Sequence, residues 1–230
     1  MKFILIFIIS IAPVFAFAQF AVIYDKDSIC NIRSSAGKGD NIIDKLKNGH
    51  LVYCYPEKTS WVSIDYTKKN EEISGRVYKD RLIYISGYSK IPVLKKEDSR
   101  ISLKKDSITV VVTQQPFDKS KHTFTPYKEA ADQVELIDNK KYWGKDGGIP
   151  TTEYRSIEVN IGKRKILLPA TAFENLYEPS LGNTQVNYDS RNDIIYIRSM
   201  NGDGAGGYEV VWKIEHGIYR EKLVVASFDR

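Results

Sequence analysis

The chain of 230 residues is 42% hydrophobic and 27% charged and holds two cysteines, enough apolar content for a globular core without a dense disulfide framework. Its 34 basic and 29 acidic residues leave a formal net charge of +5 and are interspersed, so no basic stripe or tail of the kind that binds nucleic acid is present. Aromatics reach 12%, with 15 tyrosines and 9 phenylalanines, which favours strands and predicts an all-β protein.

At the start of the chain, Lys2 precedes an uncharged run from Phe3 to Phe17, and Ala16-Phe17-Ala18 supplies the small residues that a signal peptidase reads. Residues 1–18 therefore read as a cleaved secretory leader. The run falls short of the ~20 apolar residues of a membrane span and contains Pro13, so a periplasmic or secreted protein with no stable membrane insertion is expected.

From Ala21 to Ile85 short strands alternate with turns: 21–24, 29–33, 42–46, 51–55, 61–66 and 74–78, separated by Asp25-Lys26-Asp27, the 36–40 loop, Lys47-Asn48-Gly49 and Pro56-Glu57-Lys58. Such spacing predicts a small barrel over residues 19–86. Cys30 and Cys54 fall in two of these strands. In an oxidising compartment they read as a disulfide closing a loop of roughly 25 residues, worth about 3 kcal/mol, with two buried free thiols as the other reading. The charged stretch 87–100 reads as an exposed linker.

Strand patterning resumes in a predicted β-rich domain over 101–230, with the β-branched run 108–113, a segment at 133–137, and hairpins at 156–168, 186–199 and 208–225. Pro169 to Tyr177 places apolar groups at helical spacing behind a proline and predicts one short helix.

Within the first segment, Asn31-Ile32-Arg33-Ser34, the strand and turn 43–49, Trp61-Val62-Ser63-Ile64, Gly75-Arg76-Val77-Tyr78 and Arg81-Leu82 follow one another in an order that resembles bacterial SH3-like (SH3b) domains. Departures are the stretch Thr67 to Glu72 before the closing strand and Cys30 in place of an aliphatic residue. The resemblance implies a partly open barrel found in cell-envelope proteins, binding peptidoglycan, a peptide or an envelope protein. Aromatic side chains would supply its platform, and Tyr55, Trp61, Tyr66 and Tyr78 are the candidates. Residues 101–230 resemble no family.

Motifs of catalysis are sparse. His50, His122 and His216 are far apart near polar residues and read as surface groups, and no Gly-x-Ser-x-Gly elbow or phosphate-binding loop is present. No cofactor is called for. Two glycine loops, Trp143 to Pro150 and Asn201 to Gly207, stand out; if they converge, Trp143 and Asp203 are further candidate ligand contacts. Asp189, Asp193 and Glu209 read as turn-forming or solvated carboxylates. The expected function is a non-catalytic binding or adaptor protein of the envelope. A cell-wall hydrolase with an acid/base pair in its C-terminal half, or a secreted inhibitor or immunity protein, is the alternative.

Overall fold

A computed structural model describes residues 19–202 and 204–227. The candidate leader, residues 1–18, and Asp203 lie outside the described residues. The chain is all-β, as its composition predicts, and helix among the described residues is confined to short 3-10 turns.

The N-terminal strands are β1 (Gln19–Ile23), β2 (Ile29–Arg33), β3 (Ile42–Lys47), β4 (Leu51–Cys54), β5 (Trp61–Lys68), β6 (Glu71–Tyr78) and β7 (Leu82–Tyr84). They form one curled sheet in the order β3-β2-β6-β5-β4-β1-β7. Its inner face buries Ile23, Ile32, Leu46, Val52, Val62, Ile64, Tyr66 and Val77. The stretch Thr67 to Glu72 is no loose insertion: β5 and β6 run through it, and Lys69 and Asn70, both at positive φ, turn the hairpin.

Residues 87–100 carry β8 (Ser89–Ile91) and β9 (Val93–Glu97) in place of the expected linker. The remaining strands are β10 (Arg100–Lys105), β11 (Ile108–Pro116), β12 (Phe124–Pro126), β13 (Val134–Ile137), β14 (Thr152–Ile161), β15 (Arg164–Leu167), β16 (Gln185–Asp189), β17 (Ile194–Asn201), β18 (Tyr208–Glu215) and β19 (Ile218–Ala226). Two five-stranded sheets result, β15-β14-β11-β10-β9 and β19-β18-β17-β16-β8, with β12 and β13 as a separate pair. The two larger sheets share a core that includes Leu103, Val110, Ile157, Ile197, Val210 and Trp212.

Alternation along β17 and β18 explains how a third layer is added. Ile195, Ile197, Val210 and Trp212 face that sandwich core, while Ile194, Tyr196 and Val211 face the other way and meet Phe20, Val22, Leu51 and Tyr53 from β1 and β4. The β19–β8 sheet is thus covered on both faces, and strands buried on both faces read as continuous apolar runs such as Ile194-Ile195-Tyr196-Ile197. Each aliphatic or phenylalanine side chain fully buried in that joint stabilises it by about 1.5–3 kcal/mol. Polar ties reinforce it: Tyr53 Oη donates to Glu209 at 2.7 Å, and buried Lys213 donates to the Gly49 carbonyl at 3.1 Å.

The helix predicted at 169–177 is reduced to the 3-10 turn Ala170–Ala172, because Asn175 adopts a left-handed φ of 63° and breaks the spiral. The segment lies against the sandwich, where Trp212 Nε1 donates to the Ala172 carbonyl at 2.6 Å.

The disulfide reading is corrected. In the sheet, β5 and β6 stand between β4 and β2, so Cys30 and Cys54 are not on neighbouring strands, and both are buried free thiols.

Candidate functional site

Period-two alternation sorts the candidate aromatics. On β5, Val62, Ile64 and Tyr66 point into the barrel, which leaves Trp61 on the opposite face, half-exposed. Tyr78 ends β6 directly across the ladder from Trp61. The two rings meet edge to face with centroids 5.5 Å apart, an arrangement favoured by the quadrupoles of aromatic rings.

Along β2 the same alternation buries Cys30 and Ile32 and turns Ile29, Asn31 and Arg33 outward. Arg33 is held by two acceptors, the Gly39 carbonyl at 2.9 Å and Asn41 Oδ1 at 2.6 Å, and its guanidinium carbon lies 6.0 Å from the centre of the Trp61 ring. These groups line an open cleft of about 650 Å³, completed by Asp25, Asp27, Lys38, Asp80 and Arg81. Arg81 is flanked by Asp25 at 3.4 Å and Asp80 at 3.2 Å. The wall thus offers an aromatic pair, fixed guanidinium groups and carboxylates of both free and paired kind.

Its one nucleophilic atom type, the Cys30 thiol, is buried, and burial pushes its pKa up to about 11, so at neutral pH it is a protonated wall group and not a thiolate. Burial likewise pushes the Cys54 thiol up.

The other candidates fall elsewhere. Tyr66 is a core residue: it is 1% exposed, its hydroxyl donates to Asp44 at 3.0 Å and its ring meets His50 edge to face, so it backs the groove beside Tyr55 and offers a ligand little open surface. Tyr55 donates to Asp65 at 2.6 Å and, with Trp143, lines a separate groove of about 340 Å³ between the barrel and the end of β19. Trp143 packs beside Tyr208 at 6.2 Å. Trp61 and Trp143 therefore serve different surfaces.

The two glycine loops do converge. Gly144 N–H donates to the Gly206 carbonyl at 2.8 Å, and a Cβ on Gly206 would lie 2.5 Å from the Lys145 carbonyl carbon. Close backbone approach is what these glycines allow. Asp203, in the second loop, lies outside the described residues. No group of three or more His, Cys, Asp or Glu among the described residues could hold a metal ion.

Two histidines depart from the expected surface role. His50 is half-buried, and burial lowers its pKa. His122, with a side chain 17% exposed, stacks on Phe117 at 4.5 Å and meets Asp138 and Glu153 in a cavity that linear spacing did not reveal, since the three side chains come from three separate segments. His216 is solvent-exposed as expected. Asp189 accepts from the Arg191 and Asn192 N–H groups at 3.1 and 3.4 Å and shapes its turn, and Glu209 is occupied by Tyr53.

No helix among the described residues is long and apolar enough to cross a membrane. Comparison with protein-family models, with curated proteins and with solved structures finds no match to this chain.

Proposed function

We propose that this chain is an exported, non-catalytic binding or adaptor protein of the bacterial cell envelope, and that the Trp61 cleft takes a peptide, a peptidoglycan strand or a loop of a protein partner. The observation that carries the reading is the pair Trp61 and Tyr78, set side by side on an open wall with Arg33 fixed over the indole. Trp, Tyr and Arg are over-represented among energetic anchors of interfaces: Trp and Tyr cover much surface for few rotatable bonds, and Arg brings a planar fork of five donors that also stacks on aromatic faces. The rim complements a ligand carrying both signs of charge: Asp25, Asp27 and Asp80 accept from amines, while Arg33, Lys38 and Arg81 donate to carboxylates. Export is supported by the leader pattern of residues 1–18, and the envelope setting by the SH3b resemblance of residues 31–82.

The test is a pull-down of the purified mature chain against insoluble peptidoglycan and against envelope extracts. Retention on one of them, abolished by Trp61→Ala, is expected. Retention on neither, or clearing of a wall-containing zymogram by the pure protein, contradicts the reading.

A further inference from the structure

The groove of about 340 Å³ beside Tyr55 is lined by four consecutive residues of β19, Leu223 to Ala226. Successive side chains of a strand point to opposite faces, so four in a row border a groove only along the strand's edge. Leu223 and Val225 go to the barrel side of their sheet and Val224 to the sandwich side. β19 is the last strand of that sheet and is paired along one edge only, with β18. Over these four residues the other edge offers two N–H and two C=O groups at strand spacing, a template on which an extended chain can add itself.

The far wall is the outer face of the β5–β6 hairpin. Tyr66 and Ile73 turn into the barrel core, which leaves Asp65, Thr67, Glu72 and Ser74 together on the groove side. Asp65 accepts from the hydroxyls of Tyr55 and Ser74 at 2.6 Å each, and Glu72 stands two rungs along the ladder. Both charged residues of the lining are thus acids, and among the described residues no Lys, Arg or His joins them. On the sandwich side stands Trp143, packed against the same core as Val224. Its N–H donates to the Asn175 carbonyl at 2.9 Å and its carbonyl accepts from the Tyr177 N–H at 3.0 Å, so the backbone that carries the indole is fixed in advance. A strand added to β19 would alternate as β19 does, one set of side chains meeting the carboxylates and the other the indole.

We propose that this groove binds an extended peptide segment of a partner as a sixth strand on β19, with basic side chains turned to Asp65 and Glu72 and apolar ones against Trp143. The site is separate from the Trp61 cleft.

Titration of the chain from Gln19 onward with Nα-acetyl-Lys-Val-Lys-Val-Lys amide, followed by amide chemical shifts, tests it against the same peptide with Glu in place of Lys. Saturable shifts at residues 223–226, at Glu72 and at the Trp143 indole are expected with the lysine peptide and not with the glutamate peptide. Backbone N-methylation of alternate residues removes the donors along one edge of a strand. Of two analogues, methylated on the lysines or on the valines, one should bind at least tenfold more weakly and the other nearly as the parent does. Glu72→Lys, at an exposed position outside the core, should weaken binding at least tenfold, and Trp61→Ala should change nothing. No saturable shift at millimolar lysine peptide, equal binding of the glutamate peptide, parent-like binding of both methylated analogues, or unchanged binding in Glu72→Lys would overturn the proposal. Shifts at 223–226 that appear on raising the protein concentration alone would give the edge to a second copy of this chain and overturn it as well.

Discussion

Arg33 shows how single contacts prepare the barrel cleft. Its guanidinium is already anchored on Gly39 and Asn41, so little rotamer freedom is left to lose when a ligand arrives. Elsewhere, single residues set stability. Gly206→Ala would force a methyl group against Lys145 and Asp146, an overpacking that costs about 1–3 kcal/mol. For a chain of this size each kcal/mol lowers Tm by about 2–4 °C, so calorimetry should show a fall of several degrees, and an unchanged Tm would remove the close approach. The free thiols give a second check: neither Cys30 nor Cys54 should react with a thiol reagent in the native protein, and both should react after denaturation in non-reducing buffer.

Carboxylates add a pH dependence whose sign is fixed. Burial alone would raise the Asp44 pKa from 3.8, but hydrogen bonds from Lys68, the Lys45 N–H and Tyr66 outweigh it and bring it lower. Ser63 and Arg76 hold Glu57 below its ordinary 4.5. A folded pKa under the unfolded one means that the unfolded chain takes up protons first, so this stability is complete above about pH 5 and is lost as pH falls through the depressed values. The contribution of these two carboxylates should hold between pH 7 and 5 and be lost by pH 3, while His50, whose pKa burial lowers from 6.5, adds a separate loss of stability as pH falls below about 6.5; a Tm flat down to pH 3 would contradict these pairings.

Among the elements, β9 is exposed along its whole length at the edge of its sheet, with Val93 and Leu94 bare and Lys95, Lys96 and Glu97 following. Charges on an edge strand block pairing with another chain. Replacing Lys95 and Lys96 together by valine should produce concentration-dependent association, visible as light scattering at unchanged Tm; a monodisperse double variant would refute that role. This strand also explains why residues 87–100 looked like a linker: its charge and exposure are real, but its backbone is paired with β10. Most strand and hairpin positions were legible in the sequence, but the period-two alternation of β5 puts Tyr66, expected beside Trp61 on the ligand platform, into the core with Val62 and Ile64. The order of strands was not legible, and strand order is what separates Cys30 from Cys54. The His122 cluster was equally hidden, because its members meet only through tertiary packing.

In the whole molecule, different strands of the N-terminal sheet do different jobs. β1 and β4 present their outer residues to the central layer, while β2, β5 and β6, on the other side of the sheet order, carry Arg33, Trp61 and Tyr78. Docking through Phe20, Val22, Leu51 and Tyr53 leaves the aromatic cleft uncovered, which is the arrangement a binding module needs. Truncating a central aromatic anchor costs about 2 kcal/mol or more, a factor of ~30 in affinity. The most direct measurement is retention of the chain from Gln19 onward, across protein concentrations, on purified peptidoglycan and on immobilised envelope extract, comparing wild type with a Trp61→Ala/Tyr78→Ala double variant of unchanged fold. The account predicts saturable binding to one of the two that the double variant loses at least tenfold, and equal retention of the two proteins on both would contradict it.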